Sequence, residues 1–371
     1  MAVSKNTDTD VFLNLVKAGL WEQDVQLASY GKIDFNEVYR LAEEQSVVGL
    51  VSAGIEHIVD VKVPQEVALT FAGSALQLEQ RNKAMNQFVG ALIEKLRSAD
   101  IYTLLVKGQG VAQCYERPLW RANGDVDLYL SKGNYYKAKA FLSPLAEHVD
   151  KEGKHKLHLG MTINSWIVEL HGTMYTEISN RMNAVSDEVY NDLFLNGSVR
   201  SWDNGGVQVF LPNPDNDVII IFNHFINHFY GEGIGLRQIC DWCRLLWFYK
   251  SELNLYLLER RIRKAGLMTE WKAFAAFAVG YLGMPEDAMP MYEKRRKYSN
   301  KADLIAEVII DTGSFGINKD YSYKQNDTKW KVYVQTFITR MGEFRRLTTV
   351  FPVNAPRFFI TYAFNRIKAV L

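Results

Sequence analysis

Two aspartates one residue apart, in Asn123-Gly-Asp-Val-Asp-Leu-Tyr-Leu130, are the most chemically informative feature of this sequence. Side chains alternate along a strand, so Asp125 and Asp127 project from one face and Val126 and Leu128 from the other. Adjacent carboxylates repel and are costly to ionise together unless a cation lies between them. Mg²⁺, a hard ion that takes oxygen ligands in an octahedron, is the natural occupant, with Mn²⁺ as an alternative. A third carboxylate stands in Trp166-Ile-Val-Glu-Leu-His171. There Glu169 shares a face with Ile167 and His171, opposite Val168 and Leu170. If this strand lies beside the first, three carboxylates converge, enough to hold two divalent ions.

The segment Val106-Lys107-Gly108-Gln109-Gly110 supplies a second half to such a site. It reads as the end of a strand and the start of a helix. Glycines let a backbone approach closely, and a helix N-terminus offers unpaired N–H groups to phosphate. Gly108 and Gly110 are therefore candidate phosphate-binding positions, with Lys107 as a point charge for a triphosphate. The combination describes phosphoryl-transfer chemistry, driven by positioning and charge neutralisation. Either motif alone is common, and a lone Asp-x-Asp is usually solvated surface. Their order along the chain raises the reading above that.

Further constellations are weaker. His224 and His228 stand four apart on one helical face, but no Glu follows the first as a zinc protease requires. They read as hydrogen-bonding histidines lining a cleft, with a metal hydrolase as a distant alternative. Arg237 and Asp241 are also four apart. They either pair on a helix or present Arg237 to a triphosphate, with Asp241 orienting it. Cys240 and Cys243 lie in an apolar stripe with Ile239, Leu246 and Trp247 and read as core thiols. His155 and His158 read as exposed strand residues. The basic runs 259–264 and 293–297 read as solvated helix faces rather than RNA contacts.

These residues need a framework. Helical spacing marks Phe12, Val16, Leu20 and Trp21, a helix capped by Asp34, and a long helix over about 67–99. Strands are expected at 101–107 and 124–131, with helices from 111 and 135. One hairpin turns at Asn164-Ser165 and a second at 203–206. From Asp215 onward the chain reads as helical. Its tail, 342–371, mixes aromatic residues with arginines and reads as a helix docking on the core, with a membrane-surface or RNA-binding helix as the alternative.

The sequence has 371 residues, with 43 Lys+Arg against 42 Asp+Glu, so no overall basic field points to nucleic acid. Three cysteines argue against a disulfide framework and fit a reducing compartment, the cytoplasm. The start lacks the apolar stretch of a signal peptide, and no apolar run is long enough to span a bilayer. The expected fold is α+β with three parts: an N-terminal helical segment at 1–84, a mixed-sheet domain at 85–214 and a C-terminal helical domain at 215–371.

At this point the residues resemble the nucleotidyltransferase superfamily with a polymerase-beta-like palm. More closely, the chain is similar to the bacterial family called "uncharacterised nucleotidyltransferase". The resemblance rests on Leu105-Val-Lys-Gly108, Arg121-Ala-Asn-Gly-Asp-Val-Asp127, Val168-Glu-Leu-His171 and Gly235-Leu-Arg-Gln-Ile-Cys-Asp-Trp242. The segments Phe35-Asn-Glu-Val-Tyr-Arg-Leu-Ala42 and Gly313-Ser-Phe-Gly316 extend it. The superfamily turn usually reads Gly-Gly or Gly-Ser, whose serine contacts phosphate; here Lys107 and Gln109 flank the glycine instead. The resemblance implies that Asp125 and Asp127 hold both metals, that Glu169 completes one site, and that one carboxylate helps deprotonate the acceptor. Arg121, His171 and Arg237 become secondary candidates for nucleotide or acceptor contact. The implied reaction is NMP transfer from an NTP to a hydroxyl of a small molecule, glycan, protein or RNA, with release of pyrophosphate. The alternatives are a nucleotide-binding or scaffold protein that retains the palm without catalysis, and a toxin-like tRNA nucleotidyltransferase.

Overall fold

The computed structural model describes residues 7–152, 157–176, 178–318 and 341–361. Four helices come first: α1 (Thr7–Trp21), α2 (Phe35–Glu44), α3 (Val48–Glu56) and the 34-residue α4 (Gln65–Ser98). The mixed region follows with β1 (Leu104–Val106), α5 (Gly108–Ala112), β2 (Asp125–Tyr129), α6 (Lys132–Leu142), β3 (His148–Val149), β4 (His158–Ile163), β5 (Trp166–His171), α7 (Asn180–Phe194), β6 (Val199–Asn204) and β7 (Val207–Pro212). Then come α8 (Pro214–Tyr230), α9 (Leu236–Phe248), α10 (Leu255–Ala265), α11 (Met268–Leu282) and α12 (Arg296–Thr312). Residues 341–350 and 354–361 are also helical.

This is a mixed α+β arrangement. Five strands form one sheet in the order β1-β2-β5-β4-β3, and β6-β7 form a separate hairpin. Within the larger sheet β2 and β5 run parallel, and the other neighbours are antiparallel. The β4–β5 turn falls where expected, with Asn164 and Ser165 at φ 50° and 64°. That is the left-handed geometry a two-residue hairpin turn needs to follow the sheet's twist. The strand expected at 101–107 is shorter, three residues long. The helix expected from Val111 begins earlier, so that Gly108 and Gly110 lie inside it. The 84/85 division falls within the continuous α4, whereas 214/215 lies at the start of α8.

Alternation sorts the sheet's two faces. Val126, Leu128, Leu159, Met161, Val168 and Leu170 are buried on one face. There they form a core with Tyr135, Ala138 and Leu142 of α6 and the second half of α4. The opposite face carries Asp125, Asp127, Glu169 and His171 toward the helices that follow. A second core joins the first helices directly to the last ones. The Trp21 indole donates to the Leu282 carbonyl at 2.6 Å, and the Gln45 amide links the Ile309 carbonyl to the Leu236 N–H. The α1–α3 crossing depends on Gly19 and Gly54. A Cβ at either would come within about 2 Å of a backbone oxygen on the opposing helix, 1.9 Å at Gly19 and 2.1 Å at Gly54.

Local chemistry explains several boundaries. The Asp34 carboxylate caps α2 by accepting from the Asn36 and Glu37 N–H groups. Asn213 caps α8, with Pro214 at its first position. In the tail, Phe351 and Phe358 are buried against Phe274 and Tyr230, so the described part docks aromatics on the core. Tyr362, Phe364, Arg366 and Lys368 lie outside the described residues, as does His155. Among the described residues no helix is long and apolar enough to cross a membrane. The basic runs are laced with ion pairs, including Arg263–Glu259, Lys264–Glu188 and Arg295–Glu293.

The docked tail also carries a buried acid. Glu270 of α11 accepts from the Tyr230 hydroxyl (2.9 Å) and the Asn354 amide (2.7 Å). Burial pushes its carboxyl pKa up, although these bonds oppose the shift. A carboxyl whose folded pKa is raised contributes stability below the unfolded value and loses it as pH rises through the folded one. Glu270→Gln is therefore expected to raise the melting temperature at neutral pH. The gain should shrink as pH falls through the carboxylate range. An equal shift at both pH values, in thermal melts, would contradict this account.

Candidate active site

The parallel register of β2 and β5 sets Asp127 directly beside Glu169, and Tyr129 beside His171. With Asp125 one step back on the same face, three carboxylates offer oxygens within 4.8 Å of one another. They form the floor of a cleft of about 490 Å³, within the range of small-ligand sites. Its walls include Lys107 and Gly108 at the end of β1, Arg121 and Asn123 before β2, Asn223, His224, Asn227 and His228 on α8, and Arg237 and Asp241 on α9. Apart from Gly110, every residue expected from the sequence to contact metal, phosphate, nucleotide or acceptor thus lines one cavity. Gly110 instead faces the β6–β7 hairpin, where an added Cβ would meet Leu211 at 2.9 Å.

The carboxylates differ in their electrostatics. Asp127 is only 2 % exposed. Burial opposes its charge, but Lys107 and His171 outweigh it and hold the pKa below the usual value. The Lys107 ammonium lies 2.6 Å from Asp127 Oδ1, and the His171 Nε2–H donates to the same oxygen at 2.8 Å. Burial likewise opposes charge on Glu169, yet hydrogen bonds from His158 and His171 keep it well below the usual range. Asp125 goes the other way: burial and the neighbouring Asp127 charge push its pKa up despite Lys107. His171 is held above the ordinary histidine value because bonds to Asp127 and Glu169 exceed the cost of burial. His224 is pushed well below that value by burial and by the charges of Lys107 and His228, so a neutral imidazole faces the cleft. The His224 and His228 rings stand 4.5 Å apart, edge to face.

The phosphate-turn expectation is modified. Lys107 caps α5 with φ 57°, a conformation costing about 1–3 kcal/mol for a residue with a side chain. Its ammonium is engaged by Asp127. The helix behind it has only five residues, too short for a sizeable terminal dipole. Gln109 is buried and donates to Asn82 of α4, so its side chain points into the core rather than the cleft. Gly108 is the residue of close approach: an added Cβ there would lie 3.3 Å from Asn123 Oδ1.

Asp241 pairs with Arg121. Its carboxylate receives the forked guanidinium at 2.7 and 2.6 Å and the Tyr115 hydroxyl at 2.7 Å. Arg121 also donates to Asn123 Oδ1, and Asn82 holds the Leu119 and Arg121 carbonyls. This buried cage fixes the loop that feeds Asp125 into β2. Arg237 donates to the Ala122 carbonyl at 3.1 Å, bracing the same loop from α9. Burial and the nearby Arg121 charge lower its pKa.

His158, read from sequence as an exposed strand residue, belongs to the site. It lies opposite His171 across the β4–β5 hairpin, its Nε2 3.2 Å from Glu169 Oε2. The hairpin turn contained the signal: with Asn164-Ser165 as the turn, Ile163 pairs with Trp166, and equal steps back along both arms reach His158 and His171. Cys114, Cys240 and Cys243 are buried free thiols, as expected of core residues. Among the described residues His224 and His228 gather no third metal ligand.

A mixed sheet that assembles three carboxylates from two parallel strands under a polar cleft defines a candidate cation-assisted transfer site. The chain belongs to the family described as "Uncharacterised nucleotidyltransferase", whose model matches residues 31–283. No curated protein and no solved structure matches it.

Proposed function

We propose that the protein is a metal-dependent nucleotidyltransferase built on a polymerase-beta-like palm, moving an NMP from an NTP to a hydroxyl acceptor. The observation that carries this reading is the side-by-side placement of Asp127 and Glu169 with Asp125 on the same face. The donor set fits a hard divalent cation: burial and the neighbouring Asp127 charge raise the Asp125 pKa, a penalty that added positive charge would relieve. Asp125, Asp127 and Glu169 would hold it, and a bound cation supplies charge neutralisation at the α-phosphate and acidifies the acceptor hydroxyl.

The remaining roles belong to the chain itself. The acceptor oxygen bonds to the α-phosphorus, the bond to the β-phosphate's bridging oxygen breaks, and pyrophosphate leaves. A carboxylate of the set takes the acceptor proton. Lys107 supplies a buried positive charge beside the phosphate path, and Gly108 lets the backbone come close. Buried polar atoms without hydrogen-bond partners also line the cleft: Asn123 Nδ2, Thr173 Oγ1 and Asn227 Oδ1. Polar ligand groups would satisfy them. Arg237, His224 and His228 line the cleft from α8 and α9 and are the candidates for nucleotide or acceptor contact.

The test is pyrophosphate release from each of the four NTPs with Mg²⁺ or Mn²⁺, a mixed cell extract serving as acceptor. The Asp125→Asn/Asp127→Asn double variant is the control. Release that disappears in the control supports the reading and identifies the nucleotide. NTP-dependent thermal stabilisation without release would favour a binding protein, and the absence of both effects would overturn the assignment.

A further inference from the structure

We propose that His158, Glu169 and His171 form a second cation site that takes an imidazole-binding transition metal of the Zn²⁺ class, sharing Glu169 with the carboxylate set. Its donors are two ring nitrogens and one carboxylate oxygen, all within 4.8 Å of one another. Both rings turn Nε2 toward Glu169 Oε2, His158 at 3.2 Å and His171 at 3.4 Å, and metal binding would displace the proton that His171 Nε2 shares with Asp127 Oδ1 at 2.8 Å. Ligand atoms of a tetrahedral centre with bonds of about 2.0–2.1 Å stand roughly 3.4 Å apart, so these separations already match its edges.

The framework favours this arrangement over chance. His158 and His171 are direct partners across the hairpin, and Glu169 is two residues from His171 on the same face. The rings lie 4.7 Å apart at 31°, one beside the other. Gly160, the residue opposite Glu169, has no side chain of its own, and the Asp150 carboxylate fills the space above it. All three donors open onto the cleft, which leaves room for an exchangeable ligand. The chemistry separates this site from its neighbour. Asp125 and Asp127 offer only hard oxygens, suited to Mg²⁺, whereas two imidazoles select borderline metals that Mg²⁺ cannot match. Glu169 would then bridge a hard ion and a softer one.

This inference concerns metal binding and stands independently of nucleotidyl transfer. The test uses the full chain with Cu²⁺ alone, an imidazole-binding probe read by pulsed electron paramagnetic resonance for coupling to ¹⁴N, and with Zn²⁺ alone, read by calorimetry. Wild type is expected to show coupling to two imidazole nitrogens. His158→Gln should leave one, and His158→Gln/His171→Asn none. His158→Gln should also weaken Zn²⁺ binding at least about tenfold while leaving Mg²⁺ binding unchanged. Asp125→Asn should retain both couplings. Bound Cu²⁺ without nitrogen coupling in wild type would overturn the proposal, as would absence of Zn²⁺ binding. Coupling that survives the double histidine variant, or is lost in Asp125→Asn, would also refute it. Thermal melts of each variant confirm folding, and because His158 is partly exposed, its replacement is expected to be tolerated.

Discussion

Asp125→Asn is expected to abolish pyrophosphate release while raising the melting temperature of the metal-free protein. Asp125 is partly buried beside Asp127, and that burial and the Asp127 charge push its pKa up, so its charge opposes folding at neutral pH. Asparagine removes that charge and keeps the shape. The same substitution deletes a metal-binding oxygen from the carboxylate set, and the expected loss is at least about a thousandfold, or ~4 kcal/mol of transition-state stabilisation. A gain in stability with loss of activity is the behaviour of a residue retained for chemistry.

Asp127→Asn, two residues along the same strand, should lose activity equally but lower the melting temperature. Its charge is held in place by Lys107 and His171, whose positive charges would lose their partner. The signs follow from linkage. Asp127, with a depressed folded pKa, stabilises above the unfolded carboxylate value, and the effect is lost as pH falls through the folded one. For Asp125 the penalty is relieved as pH falls. The two variants should therefore differ most in melting temperature at neutral pH and converge in acid. Identical shifts for both would show that the charge layout described above is wrong, and turnover retained in Asp125→Asn would remove it from the reaction.

Breaking the Arg121–Asp241 pair carries the largest expected cost in stability. Both side chains are buried, at 5 % and 6 % exposure, and joined by two short hydrogen bonds. Asp241→Ala would remove the acceptor of Arg121 Nε and Nη2 and of the Tyr115 hydroxyl and leave a buried charge unpaired, costing about 3–5 kcal/mol. Arg121→Met/Asp241→Leu, which removes both charges and fills the volume, should cost less than the single change. Chemical denaturation measures both, and a single-variant cost below about 1 kcal/mol would place this pair among ordinary surface bridges. Activity should fall in the double variant even where stability recovers. The cage around Arg121 holds Asn123 and the loop entering β2, so the Asp125 carboxylate would lose its fixed approach.

Much of this site was legible in the sequence because a strand's period of two is rigid. Once 124–131 and 166–171 read as strands, the alternation of Asp125 with Val126, and of Glu169 with Val168, assigned each side chain to a face. Turn chemistry at Asn164-Ser165 went further, since a two-residue hairpin leaves one register, and that register contained the His158–His171 pair. Helix capping by Asp34 and the burial of Val38, Leu41 and Ala42 followed from local pattern in the same way.

The rest depended on contacts between distant segments. No local rule states that β2 and β5 are neighbours, or that they run parallel, because strand order is decided by how helices cover the sheet. That adjacency is what brings Glu169 to Asp127. Lys107 could as well have faced open solvent as Asp127, and Gln109 the phosphate path rather than Asn82; the early start of α5 decided both. Asp241 had a plausible partner four residues away, but the tertiary fold gave its carboxylate to Arg121, 120 positions distant. A side chain's partner is set by whichever donor the packed chain brings within about 3 Å, and sequence spacing limits that choice only within one element.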